Sequence, residues 1–241
     1  MLINKKYLVI FKDKNNDIKV LSNNDKLFKE ILKFKNIIIY MYGSTTFSMD
    51  KFKDKSIVDS LLFDKNNCIL IPIFDYKNRP SYKNPDSLSN YKKVLDLRLF
   101  ELNTTTDMLV DEYDESFTLF GNSEGGVPVL LFEKHSSYLR GKIIVSYSCE
   151  SNYYYSLDNK DLHHNKDIPL LNILGLDDEY FGLDSFLNKN SSVLGNSSKT
   201  FKLFNYSKIV LLSNTKHSLF ENNMVFFEIK NFLDYLNMIN N

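Results

Sequence analysis

Ser123 stands in Gly121-Asn-Ser-Glu-Gly-Gly126, between the apolar run Ser116-Phe-Thr-Leu-Phe120 and the apolar stretch Val127-Pro-Val-Leu-Leu-Phe132. A serine hydroxyl is a poor nucleophile at neutral pH and needs a base within hydrogen-bond reach. The spacing G-x-S-x-G after a strand and before a helix answers a different need. It makes a turn so tight that the flanking residues must be glycine, and it pushes Oγ out at the C-terminal edge of a sheet. With only 8 glycines in 241 residues, the gathering of Gly121, Gly125 and Gly126 around one serine marks a backbone demand. Pro128 falls in the first helical turn, where a proline is tolerated. Two partners of complementary type follow downstream runs. Asp178 comes after Ile168-Pro-Leu-Leu-Asn-Ile-Leu174, and His217 after Lys208-Ile-Val-Leu-Leu-Ser213. A histidine can serve as the base, and a carboxylate can orient it.

The elements that must carry these residues alternate between strand and helix. Lys6 to Lys12 and Ile18 to Leu21, separated by Asp13-Lys-Asn-Asn-Asp17, read as a hairpin. Asn24 can cap a helix over about Asp25 to Lys35. Asn36-Ile-Ile-Ile-Tyr-Met41, Cys68-Ile-Leu-Ile-Pro-Ile-Phe74 and Gly141-Lys-Ile-Ile-Val-Ser-Tyr147 are continuous apolar runs. Such runs do not alternate because both faces of a parallel sheet are buried. Tyr91 to Tyr113 reads as mainly helical, with Thr104 or Thr105 as a cap; Val127 to His135 reads as a helix, and Val225 to Ile239 as the closing one. The fold class is therefore α/β, a mostly parallel doubly wound sheet with helices on both faces and an antiparallel hairpin at its start. Residues 1–241 read as one domain, with 149–166, rich in tyrosine, as the candidate for a small lid.

The order Ser123, Asp178, His217, each at a strand end, resembles the α/β-hydrolase family, whose triad runs nucleophile, acid, histidine. The resemblance covers roughly the chain from Asn36 onward. Leu119 to Ser146 looks like that family's strand, nucleophile elbow, helix and strand; Gly175-Leu-Asp-Asp178 looks like its acid turn, and Lys216-His217-Ser218 like its histidine loop. The resemblance implies Ser123 as nucleophile, His217 as general base and Asp178 as the acid. It also implies an oxyanion hole made of the backbone N–H groups of Glu124 and Ser44. The family often writes His-Gly where this chain has Tyr42-Gly43, and a glycine where it has Lys216. Neither replaced side chain belongs to the triad, and Tyr42 offers a phenol as a further donor.

Several assignments stay open at this level. Asp177 competes with Asp178, which could instead cap a helix. His135, His163 and His164 fall in the elbow helix and the insertion, which leaves His217 as the base. Glu124, beside the nucleophile, could favour a cationic group on a substrate. Glu179, Asp184 and the acids from Asp107 to Glu115 read as solvated charges. Cys68 and Cys149 lack metal-ligand spacing and read as reduced thiols, and no cofactor or metal is expected.

The charge balance of 30 basic against 30 acidic residues gives no footprint for nucleic acid or an anionic membrane. The first eleven residues interrupt their apolar run with Lys5-Lys6, so neither a signal peptide nor a membrane span is expected and the cytoplasm is the expected location. The expected activity is hydrolysis of a small ester or thioester through an acyl-enzyme. The alternatives are a small serine peptidase or amidase, and an inactive hydrolase-fold binding protein.

Overall fold

The computed structural model describes residues 7–22, 27–43, 55–74, 88–147, 167–180 and 206–239. Ser44, Asp184, Cys149, the cap at Asn24 and the candidate lid at 149–166 lie outside the described residues. So do His163 and His164.

Eight strands form one sheet: β1 (Tyr7–Lys12), β2 (Ile18–Ser22), β3 (Asn36–Met41), β4 (Asn67–Pro72), β5 (Phe117–Asn122), β6 (Leu139–Val145), β7 (Leu170–Gly175) and β8 (Ser207–Leu212). Their spatial order is β2-β1-β4-β3-β5-β6-β7-β8. β1 runs antiparallel to both β2 and β4, and every other neighbouring pair is parallel. The expectation of a leading hairpin on a parallel sheet is met.

The apolar runs form strands because alternate residues have separate cores to enter. Ile37, Ile39 and Met41 of β3 join Cys68, Leu70 and Leu119 on one face, while Ile38 and Tyr40 join Ile69, Ile71 and Phe120 on the other. Helices α1 (Leu27–Ile31), α3 (Leu88–Asp107) and α4 (Gly126–Leu131) cover the first face through Ile31, Leu102, Val127, Val129 and Leu130. Helices α2 (Lys55–Leu61) and α5 (Asn223–Ile239) cover the second. In α5 the buried residues Val225, Ile229, Phe232, Leu233 and Leu236 recur at helical spacing and lie along one stripe. Burying one such side chain contributes roughly 1.5–3 kcal/mol, so each face is an independent source of stability.

Local structure departs from the sequence expectations in several places. The elbow helix stops at Leu131, because Phe132 is extended (φ −71°, ψ 127°). The fully buried Lys142 explains this, since its Nζ donates to the carbonyls of Leu130 (3.0 Å) and Phe132 (2.7 Å) and so closes the helix end. His135 then sits in a turn with φ 52° rather than in a helix, its Nε2 2.7 Å from Asp107 Oδ1. Asp107 also pairs with Lys134, and its carboxyl lies below the ordinary aspartate range because these hydrogen bonds outweigh the cost of partial burial. Thr105 is no cap, because it lies inside α3 and donates to the carbonyl of Glu101 at 2.7 Å, as threonines in helix interiors do. The helix from Tyr91 to Tyr113 in fact loosens into a π-helical segment over Met108–Glu112. Finally, α1 ends at Ile31 instead of reaching Lys35.

Cys68 has no exposed surface, and burial pushes its thiol well above the ordinary cysteine range. Since the thiolate is the reactive form, a neutral-pH alkylating reagent is expected to spare Cys68 in the folded protein and modify it fully in urea. Peptide mapping after iodoacetamide treatment checks this, and native labelling of Cys68 at the unfolded rate would contradict the burial.

Candidate active site

The parallel registers bring the C-terminal strand ends level. Met41 pairs with Gly121, Asn122 with Val145, Val145 with Ile173, and Gly175 with Leu212. Residues just past these ends share one edge of the sheet although far apart in sequence, and that edge is where ligands bind in open α/β sheets.

Ser123 follows β5 with φ 52°, in the left-handed region that costs a non-glycine residue on the order of 1–3 kcal/mol. A short 3-10 turn, Ser123–Gly125, then turns the chain into α4. The turn closes only because its flanks have no side chains. A Cβ on Gly121 would lie 2.5 Å from the Gly125 carbonyl oxygen, and one on Gly125 would be driven into the carbonyl oxygen of Met41 at the end of β3. The elbow turn and the end of β3 touch backbone to backbone, and Gly43 faces the serine, with its Cβ position 3.8 Å from Ser123 Oγ.

The structure brings Ser123, His217 and Asp178 into one hydrogen-bonded chain. Ser123 Oγ lies 3.0 Å from His217 Nε2, and His217 Nδ1 lies 2.8 Å from Asp178 Oδ2. A carboxylate accepts, so Nδ1 carries the ring proton and the bare Nε2 accepts from the serine hydroxyl. Asp178 is buried, its other oxygen accepting from the Tyr180 N–H at 2.8 Å, whereas its neighbour Asp177 is exposed. Of the two neighbouring acids, it is Asp178 whose carboxylate meets the ring.

His217 is held from several sides. Its N–H donates to Glu179 Oε2 at 3.3 Å, its carbonyl accepts from Ser146 Oγ at 2.8 Å, and its ring meets the Tyr180 ring edge-on at 4.8 Å. Glu179 is therefore more than a solvated charge. Ser146 follows β6 with φ 55°, a second strained serine on the same edge. The acid turn and the histidine loop are laced together by Leu176 N–H to Leu212 and Asp177 N–H to Thr215, at 2.9 and 3.1 Å. They cross so closely that a Cβ on Gly175 would be driven into the Thr215 carbonyl oxygen.

Glu124 overturns one sequence expectation. Its side chain is 1% exposed and turned inward, with Oε1 accepting from Arg98 Nε and Nη2, both at 3.2 Å, so it is not available to select a cationic substrate group. Tyr42 is also nearly buried, with the Arg98 guanidinium 4.2 Å from its ring centre. Arg98 was absent from the sequence reading, although a signal exists. Val94, Arg98, Glu101, Leu102 and Thr105 recur at helical spacing and are all buried, so two charged residues sit on the core stripe of α3. Among the described residues no group of three or more His, Cys, Asp or Glu side chains could hold a metal ion, and no helix is long and apolar enough to cross a membrane.

No protein-family model and no curated protein matches this sequence. Solved structures match over almost the whole chain. Est1E from Butyrivibrio proteoclasticus, solved with ferulic acid bound, has TM-score 0.60 and 14% identity, covering 98% of this chain and 96% of that one. The esterase domain of a Rhodothermus marinus protein has TM-score 0.56 and 12% identity, covering 97% of each chain. An α/β-hydrolase from a sediment metagenome of the Mar Chica lagoon has TM-score 0.50 and 14% identity, covering 97% and 100%. At such identities the likeness shows the fold, and this chain has the α/β-hydrolase fold.

The crossing at the elbow yields a stability prediction. Gly125→Ala and Gly121→Val are each expected to cost about 3 kcal/mol or to prevent folding, because the added carbons meet backbone that cannot step aside. Urea unfolding measures the loss, and a midpoint equal to that of the unmodified protein in either variant would refute the crossing.

Proposed function

We propose that the protein is a serine hydrolase that cleaves a carboxylic ester or thioester through an acyl-enzyme. The observation that carries this reading is the chain of two hydrogen bonds, Ser123 to His217 to Asp178, ending on a serine held at φ 52°. Strain of this kind persists only where the surrounding structure enforces it, and it is expected where a side chain must be presented for chemistry. The esterase fold neighbours support the same reaction class, and the ferulic acid bound to Est1E is a carboxylic acid, the class of compound that ester hydrolysis at such a site would release.

In the proposed mechanism His217 Nε2 takes the proton from Ser123 Oγ as the oxygen attacks the substrate carbonyl. Asp178 holds the ring in the tautomer that leaves Nε2 free and stabilises the imidazolium that forms. The carbonyl oxygen becomes an oxyanion, stabilised by the backbone N–H groups of Glu124 and Ser44. Each such donor is typically worth about 3 kcal/mol of transition-state stabilisation. The tetrahedral intermediate collapses as His217 returns its proton to the departing alcohol or thiol. Water, deprotonated by the same imidazole, then attacks the acyl-Ser123 carbonyl and restores the serine. No step calls on a metal, so EDTA is expected to leave the rate unchanged.

Turnover of a p-nitrophenyl ester by a set of single variants tests the assignment. Ser123→Ala is expected to abolish hydrolysis. Asp178→Asn is expected to lower kcat by roughly 10³ to 10⁴, because an amide can hold the imidazole in the wrong tautomer. Asp177→Asn, at an exposed carboxylate, is expected to cost less than about twofold. A reversed ranking of the two acids would reassign the triad, and full activity in Ser123→Ala would overturn the function.

A further inference from the structure

Arg98 reaches from α3 to the backbone just past β3 and to the side chain of Glu124, the residue after Ser123. Its Nη2 donates to the carbonyls of Tyr42 (2.9 Å) and Gly43 (2.8 Å), just past β3, and to Glu124 Oε1 (3.2 Å), which Nε also reaches. Nη1 meets Glu101 Oε2 at 3.5 Å, one helical turn along α3. Arg98, Glu101 and Glu124 are each at most 1% exposed. The guanidinium also packs on the Tyr42 ring.

We propose that Arg98 is a positioning residue that fixes the two halves of the oxyanion hole relative to each other. This rests on the function proposed above. The donors in that function are the backbone N–H groups following Gly43 and Ser123, and these belong to segments from different strands. By holding the Gly43 carbonyl at 2.8 Å, Arg98 fixes the chain at the residue that precedes the first donor. The Glu124 side chain, held by the same guanidinium, fixes the residue that supplies the other donor. One rigid fork thus adds a side-chain tie, beyond the end of the sheet, between two segments that the β3–β5 pairing and the contact of Gly125 with Met41 bring side by side. Lysine cannot replace it, because an ammonium is a point charge on a flexible stem and lacks the planar fork. The buried carboxyl of Glu124 acts here inside the protein and leaves substrate selection to other groups.

The prediction separates positioning from simple stability. A displaced donor weakens transition-state binding while substrate binding is spared, so Arg98→Lys is expected to lower kcat by about 10²-fold with KM changed less than about threefold. Affinity for a trifluoromethyl ketone, whose hemiketal carries the same oxyanion, is expected to fall in proportion to kcat. Hydrogen exchange, which needs no activity, is expected to rise in the peptide containing Tyr42–Gly43 and in that containing Glu124. If Arg98→Lys does not fold, Glu124→Gln carries the same test, with kcat and ketone affinity each lowered about tenfold.

A folded Arg98→Lys with unchanged kcat, or with its loss in KM alone, or with exchange unchanged at both peptides, would overturn the proposal. So would unchanged kcat in Glu124→Gln. An unmodified protein that hydrolyses no ester would instead sink the proposed function, and the exchange result would still decide whether Arg98 holds both segments.

Discussion

Backbone meets backbone where the elbow crosses the end of β3. Gly125 lies so close to the Met41 carbonyl that no side chain fits between them. That contact fixes how far Ser123 stands from Gly43 and forces the serine into the left-handed region. It also leaves α4 little freedom in direction, and Lys142 then fastens the other end of that helix from β6. Everything the site is proposed to do depends on this crossing, because the serine oxygen is presented by backbone geometry rather than by side-chain packing.

The second half of the site depends on a similar close approach between different strands. The loop after β8 passes the acid turn after β7 at Gly175, and the hydrogen bonds from Leu176 and Asp177 lock the two together. Asp178, Glu179 and Tyr180 then hold the His217 ring, its N–H and its outer face, while Ser146 takes its carbonyl. The imidazole therefore has its orientation set before any substrate arrives, which is what preorganised acid-base chemistry requires.

Much of this was legible because the relevant signals are local. Asn36 to Met41, Cys68 to Phe74 and Gly141 to Tyr147 read as buried parallel strands since each run is apolar on both faces, and β3, β4 and β6 occupy most of them, β4 running parallel to β3 and antiparallel to β1. Gly121, Ser123 and Gly125 announced their turn through spacing alone. The missing parts depend on contacts across the fold. Arg98 stands at helical spacing with Val94 and Leu102, yet its role depends on Glu124 and the Tyr42 and Gly43 carbonyls, which are far away in sequence. The early end of α4 is set by Lys142, a residue of the next strand that propensity cannot anticipate. Helix α2 has no counterpart among the sequence expectations although Ile57, Val58, Leu61 and Leu62 carry a helical spacing, because at seven residues it is too short for that spacing to stand out.

The account's central claim is that folding activates one serine among many. The most direct measurement is reaction of the folded protein with a fluorophosphonate probe, followed by mass-spectrometric mapping of the adduct. One adduct is expected, on Ser123, lost when the protein is unfolded before labelling and lost in His217→Ala. An adduct on another residue, or none on a folded protein, would contradict it.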